Sequence, residues 1–249
     1  MEPAYKISIV NYYNTTPFLF GIENSPVKHR LQMELDIPSV CATKLKNKEV
    51  DLGVVPVAIL PQLDQYHIIT DYCIGAVGKV DSVKLFAEQP LENLTHVMLD
   101  YQSRTSVTLV QVLNHYFWKK NIEFIPATPG FENRVEGTTG AVIIGDRTFG
   151  LTRYPYQYDL AYEWQKYTGM PFVFACWVSN RPLDPGFIEG FNDALAYGVN
   201  HIREAVAEKP NHTPGFDAFD YLQNKISYNL DSAKRKALDH FLDLLKDLK

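Results

Sequence analysis

Short apolar runs alternate with helix-like stretches from Lys6 to about residue 180, and no linker or low-complexity segment interrupts them. That alternation is an α/β pattern, and the missing linker constrains it further. If such a chain builds two lobes, strands must cross between them, because no floppy hinge segment is available to do so. Residues 80–87 (VDSVKLFA) and 172–178 (FVFACWV) are the candidate crossings. The chain would leave a first lobe, build a second and return. This predicts a discontinuous lobe of residues 1–87 plus 177–249 and an inserted lobe of residues 88–176. A cleft between lobes is the natural place for a ligand.

Further elements follow from pattern. Residues 6–10 (KISIV), 96–99 (HVML), 123–125 and 141–144 (AVII) read as short strands, and residues 39–50 as a helix. Residues 51–60 (DLGVVPVAIL) read as a buried strand to about Val55 and then a turn, because Pro56 cannot serve in a central ladder. Asp184-Pro185 is an N-cap with proline at the first helical position. Behind it Ile188, Phe191, Leu195, Val199, Ile202 and Val206 form a core-facing stripe, and Leu238, Phe241, Leu242, Leu245 and Leu248 form another.

Composition narrows the function classes. A net charge of -5 over 249 residues argues against a nucleic-acid binder, which needs a basic face. It leaves an anionic substrate open, since a pocket can be locally positive. Cys41, Cys73 and Cys176 are far apart and show no metal-ligand spacing, so they read as buried free thiols of a reducing compartment, with no metal. The opening residues MEPAYKISIV lack a basic start followed by a long apolar stretch, and no window reaches the ~18 apolar residues of a membrane span. The expectation is a cytoplasmic protein with no membrane partner. Nothing in the sequence speaks to oligomeric state.

Four stretches carry chemistry. Residues 100–106 (DYQSRTS) end a strand and start a helix. A helix start offers backbone N–H groups without intrahelical partners and the positive end of the dipole. Ser103, Thr105 and Ser106 add hydroxyls there and Arg104 adds charge, so the segment suits a carboxylate or phosphate; plain capping by Ser103 needs no ligand and is the account that spacing alone favours. Residues 10–17 (VNYYNTTP) follow the first strand, with Asn14 and Thr15 as neutral donors and acceptors and Tyr13 beside Tyr12 as flat faces; an ordinary polar turn is the alternative. Ser82 lies near the first crossing, where a lone serine is usually just a small polar residue. Gly145-Asp146 ends a buried strand, which is where ligands bind in open α/β sheets, although Asp146 could instead cap a turn or pair with Arg147. The seven histidines sit in unrelated contexts with no metal spacing, and no P-loop, GxSxG or GxGxxG is present.

In order and spacing, VNYYNTTP, VDLGVVPVAIL, GKVDSVKLF, SRTSVTL, GAVIIGDRT and YDLAYEWQKYTGMPFVFACWV resemble the chorismate dehydratase family of menaquinone biosynthesis by the futalosine route. The likeness runs from about Ile7 to Val178, and the helical tail is compatible with it. It implies a two-lobed, type II periplasmic-binding-protein-like α/β fold with a cleft between the lobes. It also implies a cofactor-free hydro-lyase that converts chorismate to 3-[(1-carboxyvinyl)oxy]benzoate and water. Carried over by position, Asn14 and Ser82 become pocket residues with catalytic roles. Tyr13, Thr15, Ser103, Arg104, Thr105, Ser106, Gly145 and Asp146 become substrate contacts. Asp100 and Asp146 are the protein candidates for general base, and the side-chain carboxylate of the substrate is a third. The bulk of Tyr12-Tyr13 and the DYQ lead-in depart from the family pattern and bear on pocket shape. A solute-binding protein of the same fold, and the related naphthoate-forming enzyme with its expected pocket histidine, are the alternatives.

Overall fold

A computed structural model describes residues 4–248. Met1, Glu2 and Pro3, part of the stretch read above for a leader, and Lys249 lie outside the described residues. Two mixed sheets carry the fold. The first has six strands: β1 (Tyr5–Val10), β2 (Leu31–Asp36), β3 (Leu52–Pro56), β4 (His67–Ala76), β10 (Phe172–Ser179) and β11 (Ser227–Asn229), in the order β11-β4-β10-β3-β1-β2. The second has β5 (Val83–Ala87), β6 (His96–Leu99), β7 (Glu123–Pro126), β8 (Thr139–Ile144) and β9 (Tyr156–Asp159), in the order β7-β6-β8-β5-β9. The chain therefore leaves the first sheet after Ala76, builds the whole second sheet, and returns with Phe172.

The crossings differ from those read in the sequence. Val83–Ala87 pairs with β8 on one side and β9 on the other, so it is an interior strand of the second sheet, although residues 1–87 were assigned to the first lobe. Phe172–Ser179 pairs antiparallel with both β3 and β4 and lies wholly in the first sheet, although it was split at residue 176. Residues 77–82 make the outward crossing. The return is made by helix α4 (Leu160–Thr168) and the turn after it. The physical reason is pairing. A strand satisfied on both edges belongs to that sheet, and the true crossings are segments whose N–H groups go elsewhere.

Helices cover the sheets. In the first half of the chain α1 (Thr16–Glu23), α2 (Pro38–Lys46) and α3 (Thr105–Leu113) each follow a strand. Pro56 does close β3, and a 3-10 segment, Val57–Gln62, follows. The tail supplies α5 (Pro185–Asn200), α6 (Ile202–Glu208), a single turn α7 (Ala218–Asp220) and α8 (Ser232–Lys246). Asp184 caps α5 by accepting the Phe187 N–H at 2.8 Å. The stripe behind it bends at His201, which separates α5 from α6. Helices α1 and α5 touch backbone to backbone: a Cβ on Gly21 would lie 1.9 Å from the Ala194 carbonyl oxygen, so only glycine permits that approach. Among the described residues no helix is long and apolar enough to cross a membrane.

One buried side chain holds the crossing. Asp159, at the end of β9, accepts the N–H of Val80 (3.0 Å) and Asp81 (2.7 Å) on one oxygen. Its other oxygen accepts the N–H of Ala161 (3.1 Å) and Tyr162 (3.2 Å), capping α4. Asp81 sits in the left-handed region at φ 63°, unusual for a non-glycine residue. Burial pushes the Asp159 carboxyl up from 3.8 to about 6, outweighing its N–H partners. Replacing Asp159 by alanine leaves four N–H groups unpartnered and should cost about 2–4 kcal/mol in denaturant unfolding. The sign with pH follows from the raised value. The contribution is fullest below about pH 4 and is lost as the pH rises through 6, so the gap between wild type and Asp159→Ala should widen as pH falls from about 6 to about 4.

Candidate active site

A cavity lies between the two sheets. The first sheet and its turns contribute Val10, Tyr12, Asn14, Pro38, Pro56, Ile74, Phe174 and Ala175. The crossing and the second sheet contribute Val80, Ser82, Val83, Ile144 and Gly145, and the start of α3 contributes Ser103, Thr105 and Ser106. No lining side chain carries a formal charge. The cavity volume is about 60 Å³, well below the ~300 Å³ and more of typical small-molecule sites. A ring-sized ligand therefore requires the walls to part.

At the start of α3 the two readings of SRTS divide between residues. Ser103 is the cap: its hydroxyl oxygen accepts the Ser106 N–H at 3.0 Å. Thr105 is structural as well as lining. Its hydroxyl donates to the Phe174 carbonyl at 2.9 Å and accepts the Ala58 N–H at 3.3 Å, fastening α3 to the first sheet. The Ser106 side chain faces the cavity, and among the described residues no hydrogen bond engages its hydroxyl. Arg104 is exposed, with its guanidinium turned back on the Ser103 carbonyl at 3.0 Å, outside the cavity lining. Ser106 thus offers its hydroxyl to the cleft without a cation, while its own N–H is taken by the Ser103 cap.

Across the cleft, the 10–17 turn is held by its own atoms. The Thr15 hydroxyl lies within donating distance of the Val10 carbonyl (2.7 Å) and the Tyr12 carbonyl (2.8 Å), so Thr15 locks the turn and does not line the cavity. Tyr13 points away: its hydroxyl donates to the Lys209 carbonyl at 2.8 Å, and its backbone N–H goes to the Asp146 carboxylate at 2.9 Å. Asp146 is exposed, fastens the two sheets through that bond, and is likewise absent from the lining. Asn14 does line the cleft. The Tyr228 hydroxyl donates to its backbone carbonyl at 2.9 Å, while its buried side-chain amide oxygen has no partner among the described residues. That orphan acceptor asks for a donor from a ligand.

The sequence reading named Tyr12 for its flat face and its bulk but counted only Tyr13 among the substrate contacts; the Tyr12 ring is the one that forms a wall of the cavity. Tyr12 is extended at the start of the turn (φ -118°, ψ 161°), so it and Tyr13 leave the backbone on opposite sides. Its ring lies flat against Gly145, which has φ +67°; a Cβ there would come within 2.7 Å of the ring. The Tyr12 hydroxyl donates to the Gln102 side-chain oxygen. Burial pushes the phenol well up, outweighing nearby Arg147, so it stays protonated. Behind it Arg147 pairs with Asp100 and Glu132 and lies over the rings of Tyr101 and Phe131 at 5.6 and 5.7 Å. Asp100 also accepts the N–H groups of Gln102 (3.0 Å) and Ile144 (3.1 Å), so this candidate base is fully engaged and outside the cleft. Among the described residues no group of three His, Cys, Asp or Glu side chains could hold a metal ion. The three cysteines are free and buried.

A family model for menaquinone biosynthesis matches residues 5–247. The chain belongs to the menaquinone-biosynthesis family. The match spans both sheets, the cleft and the helical tail. The chorismate dehydratase of Thermus thermophilus is 27% identical over 280 aligned positions, covering 98% of this chain and 96% of that protein. Among solved structures, a protein of Archaeoglobus fulgidus superimposes with a TM-score of 0.80 at 13% identity, covering 98% of this chain and 97% of that one. A Candida albicans protein described as having the generic periplasmic binding protein fold gives 0.63 at 15% identity, covering 99% and 90%. At such identities these likenesses show the fold, and this family member is periplasmic-binding-protein-like. Gly145→Ala should cost about 2 kcal/mol of stability, from the positive φ and the overpacked ring. It should also push the Tyr12 ring into the cavity, as checked by unfolding and by a structure of the variant.

Proposed function

We propose that this protein is a chorismate dehydratase, a carbon–oxygen hydro-lyase that converts chorismate to 3-[(1-carboxyvinyl)oxy]benzoate and water. Family membership and the Thermus thermophilus relative support the reading. The observation that carries it is the cleft itself: Asn14, Ser82 and the Ser103–Ser106 helix start converge from distant parts of the chain on one cavity with no charged side chain. Chorismate is a dianion. A helix start and neutral hydroxyls bind a carboxylate without burying an opposite charge that would itself need dehydrating. The reaction breaks a C3–H bond and the C4–O bond of the ring, and the ring becomes aromatic. The drive lies in the substrate, and the protein has to position it and stabilise spreading charge.

No lining side chain is a carboxylate or a histidine, and the Tyr12 phenol is held neutral. The base of this proposal is therefore the substrate's own side-chain carboxylate, which takes the C3 proton and returns it to the departing C4 oxygen, so that the C–O bond breaks with loss of water. The orphan Asn14 oxygen accepts from the C4 hydroxyl and orients it. Ser106 and the first-turn N–H groups of α3 hold one carboxylate, and Ser82 holds the other end. The absence of a lining histidine favours this over the naphthoate-forming alternative. The two sheets act as lobes that part to admit substrate, in a reducing, cytoplasmic setting that suits three free buried thiols.

Pure protein incubated with chorismate should yield one aromatic ether product per chorismate consumed, followed by chromatography and mass. Binding without conversion would instead point to a solute-binding protein. A hydrogen bond to a charged group is worth roughly 1.5–3 kcal/mol, so Ser106→Ala should lower kcat/KM by about 10- to 100-fold. Its melt should not change, because the cap at Ser103 remains. Ser103→Ala should instead lose about 1 kcal/mol of stability. Equal kinetics for Ser106→Ala and wild type would remove the helix start from the site.

A further inference from the structure

Ser82 is 1% exposed and lines the cleft, one residue beyond the strained Asp81. Its carbonyl accepts the Gly145 N–H at 2.8 Å, so its backbone is fixed to the second sheet. Its hydroxyl meets a residue from the far end of the chain: the Tyr221 hydroxyl, 3% exposed, donates to Ser82 Oγ at 2.7 Å. A phenol is a stronger acid than an alkyl hydroxyl, so the tyrosine is the donor of this pair. Burial pushes the phenol further up, outweighing its bonds to Ser82 and Asn14, and the proton stays on Tyr221. Asn14 thus flanks the same hydroxyl. No bond donated by Ser82 Oγ exists among the described residues. The Ser82 hydrogen is left over, and the cleft is where it can go.

We infer that Tyr221 is a positioning residue. By occupying an acceptor site of Ser82 it commits the serine to donate into the cleft, and so to recognise an acceptor, a substrate carboxylate oxygen. Donation from Tyr221 also polarises the serine O–H, as successive hydrogen bonds do. The rings of Phe149 and Phe216, at 5.0 and 5.3 Å, hold Tyr221 from the outer side. Tyr221 opens a π-helical turn, Tyr221–Lys225, a distortion often found at functional sites. The inference rests on the dehydratase reading and extends its site into the helical tail.

The test is a double-mutant cycle on chorismate turnover. Tyr221→Phe should lower kcat/KM about tenfold, the worth of one hydrogen bond. In a Ser82→Ala background the same change should cost clearly less, only what the tyrosine contributes through Asn14. Equal losses in both backgrounds, or no loss from Tyr221→Phe, overturn the inference while leaving the dehydratase reading standing. Wild-type protein that leaves chorismate unconverted overturns both. Should Tyr221→Phe not fold, a ring-fluorinated tyrosine placed at 221 decides, since it keeps the shape and ionises at lower pH. Asp146 and Asp81, the carboxylates near the phenol, are common to both proteins and cancel in the comparison. Once ionised, the fluorophenol must accept from Ser82, so turnover should fall with rising pH where wild type holds. Superimposable pH profiles across the range in which the fluorophenol's absorbance shows it ionised overturn the inference.

Discussion

Both oxygens of Asp159 are spent on backbone N–H groups, one pair from the outward crossing and one pair from the helix that leads back. The two passages between the sheets are therefore anchored at a single buried carboxylate. Its cost is dehydration, seen in the raised carboxyl, and the return is geometry. Val80 and Asp81 cannot pair into either sheet, Asp81 is held left-handed, and Ser82 emerges at the cavity wall. Without a flexible hinge, the relation between the two sheets depends on such bonds. The Tyr13–Asp146 contact and the Thr105–Phe174 bond add to it.

The cleft keeps charge out of its lining and places it one layer behind. Arg147, over the rings of Tyr101 and Phe131, is neutralised by Asp100 and Glu132, and it stiffens the segment that carries Gln102, the partner of the Tyr12 hydroxyl. On the proposed reading, an anionic substrate meets neutral hydroxyls there, those of Ser106 and of the Ser82–Tyr221 pair. Such preorganised dipoles stabilise developing charge without a large penalty for desolvating a cation.

Much of the site was legible because strand ends and helix starts leave local marks. Ser103, Thr105, Ser106 and Gly145 stood out from their segments, Asn14 and Ser82 gained their weight from the family resemblance, and all six line the cavity. Tyr13, Thr15, Arg104 and Asp146 share those segments but face elsewhere, because neighbouring side chains leave an extended or newly helical backbone in different directions. For that reason the choice of Tyr13 over Tyr12 as the substrate contact went to the wrong side of the strand end. Nothing local marks Tyr221, whose partner is 139 residues away in sequence.

By itself the sequence determined the α/β alternation, the cap at Asp184, the strand ending at Pro56 and the strand-end and helix-start segments that border the cleft. These rest on short-range rules of periodicity, proline chemistry and unpaired helix N–H groups. Only the tertiary structure decided which strands belong to which sheet, since strand pairing joins residues far apart in the chain. It also decided that Asp100 is engaged by Arg147 and that Asp159 anchors the crossings. The same holds for Tyr221, which sets the hydrogen-bonding direction of Ser82: a hydroxyl has no preferred role until folding supplies its partner.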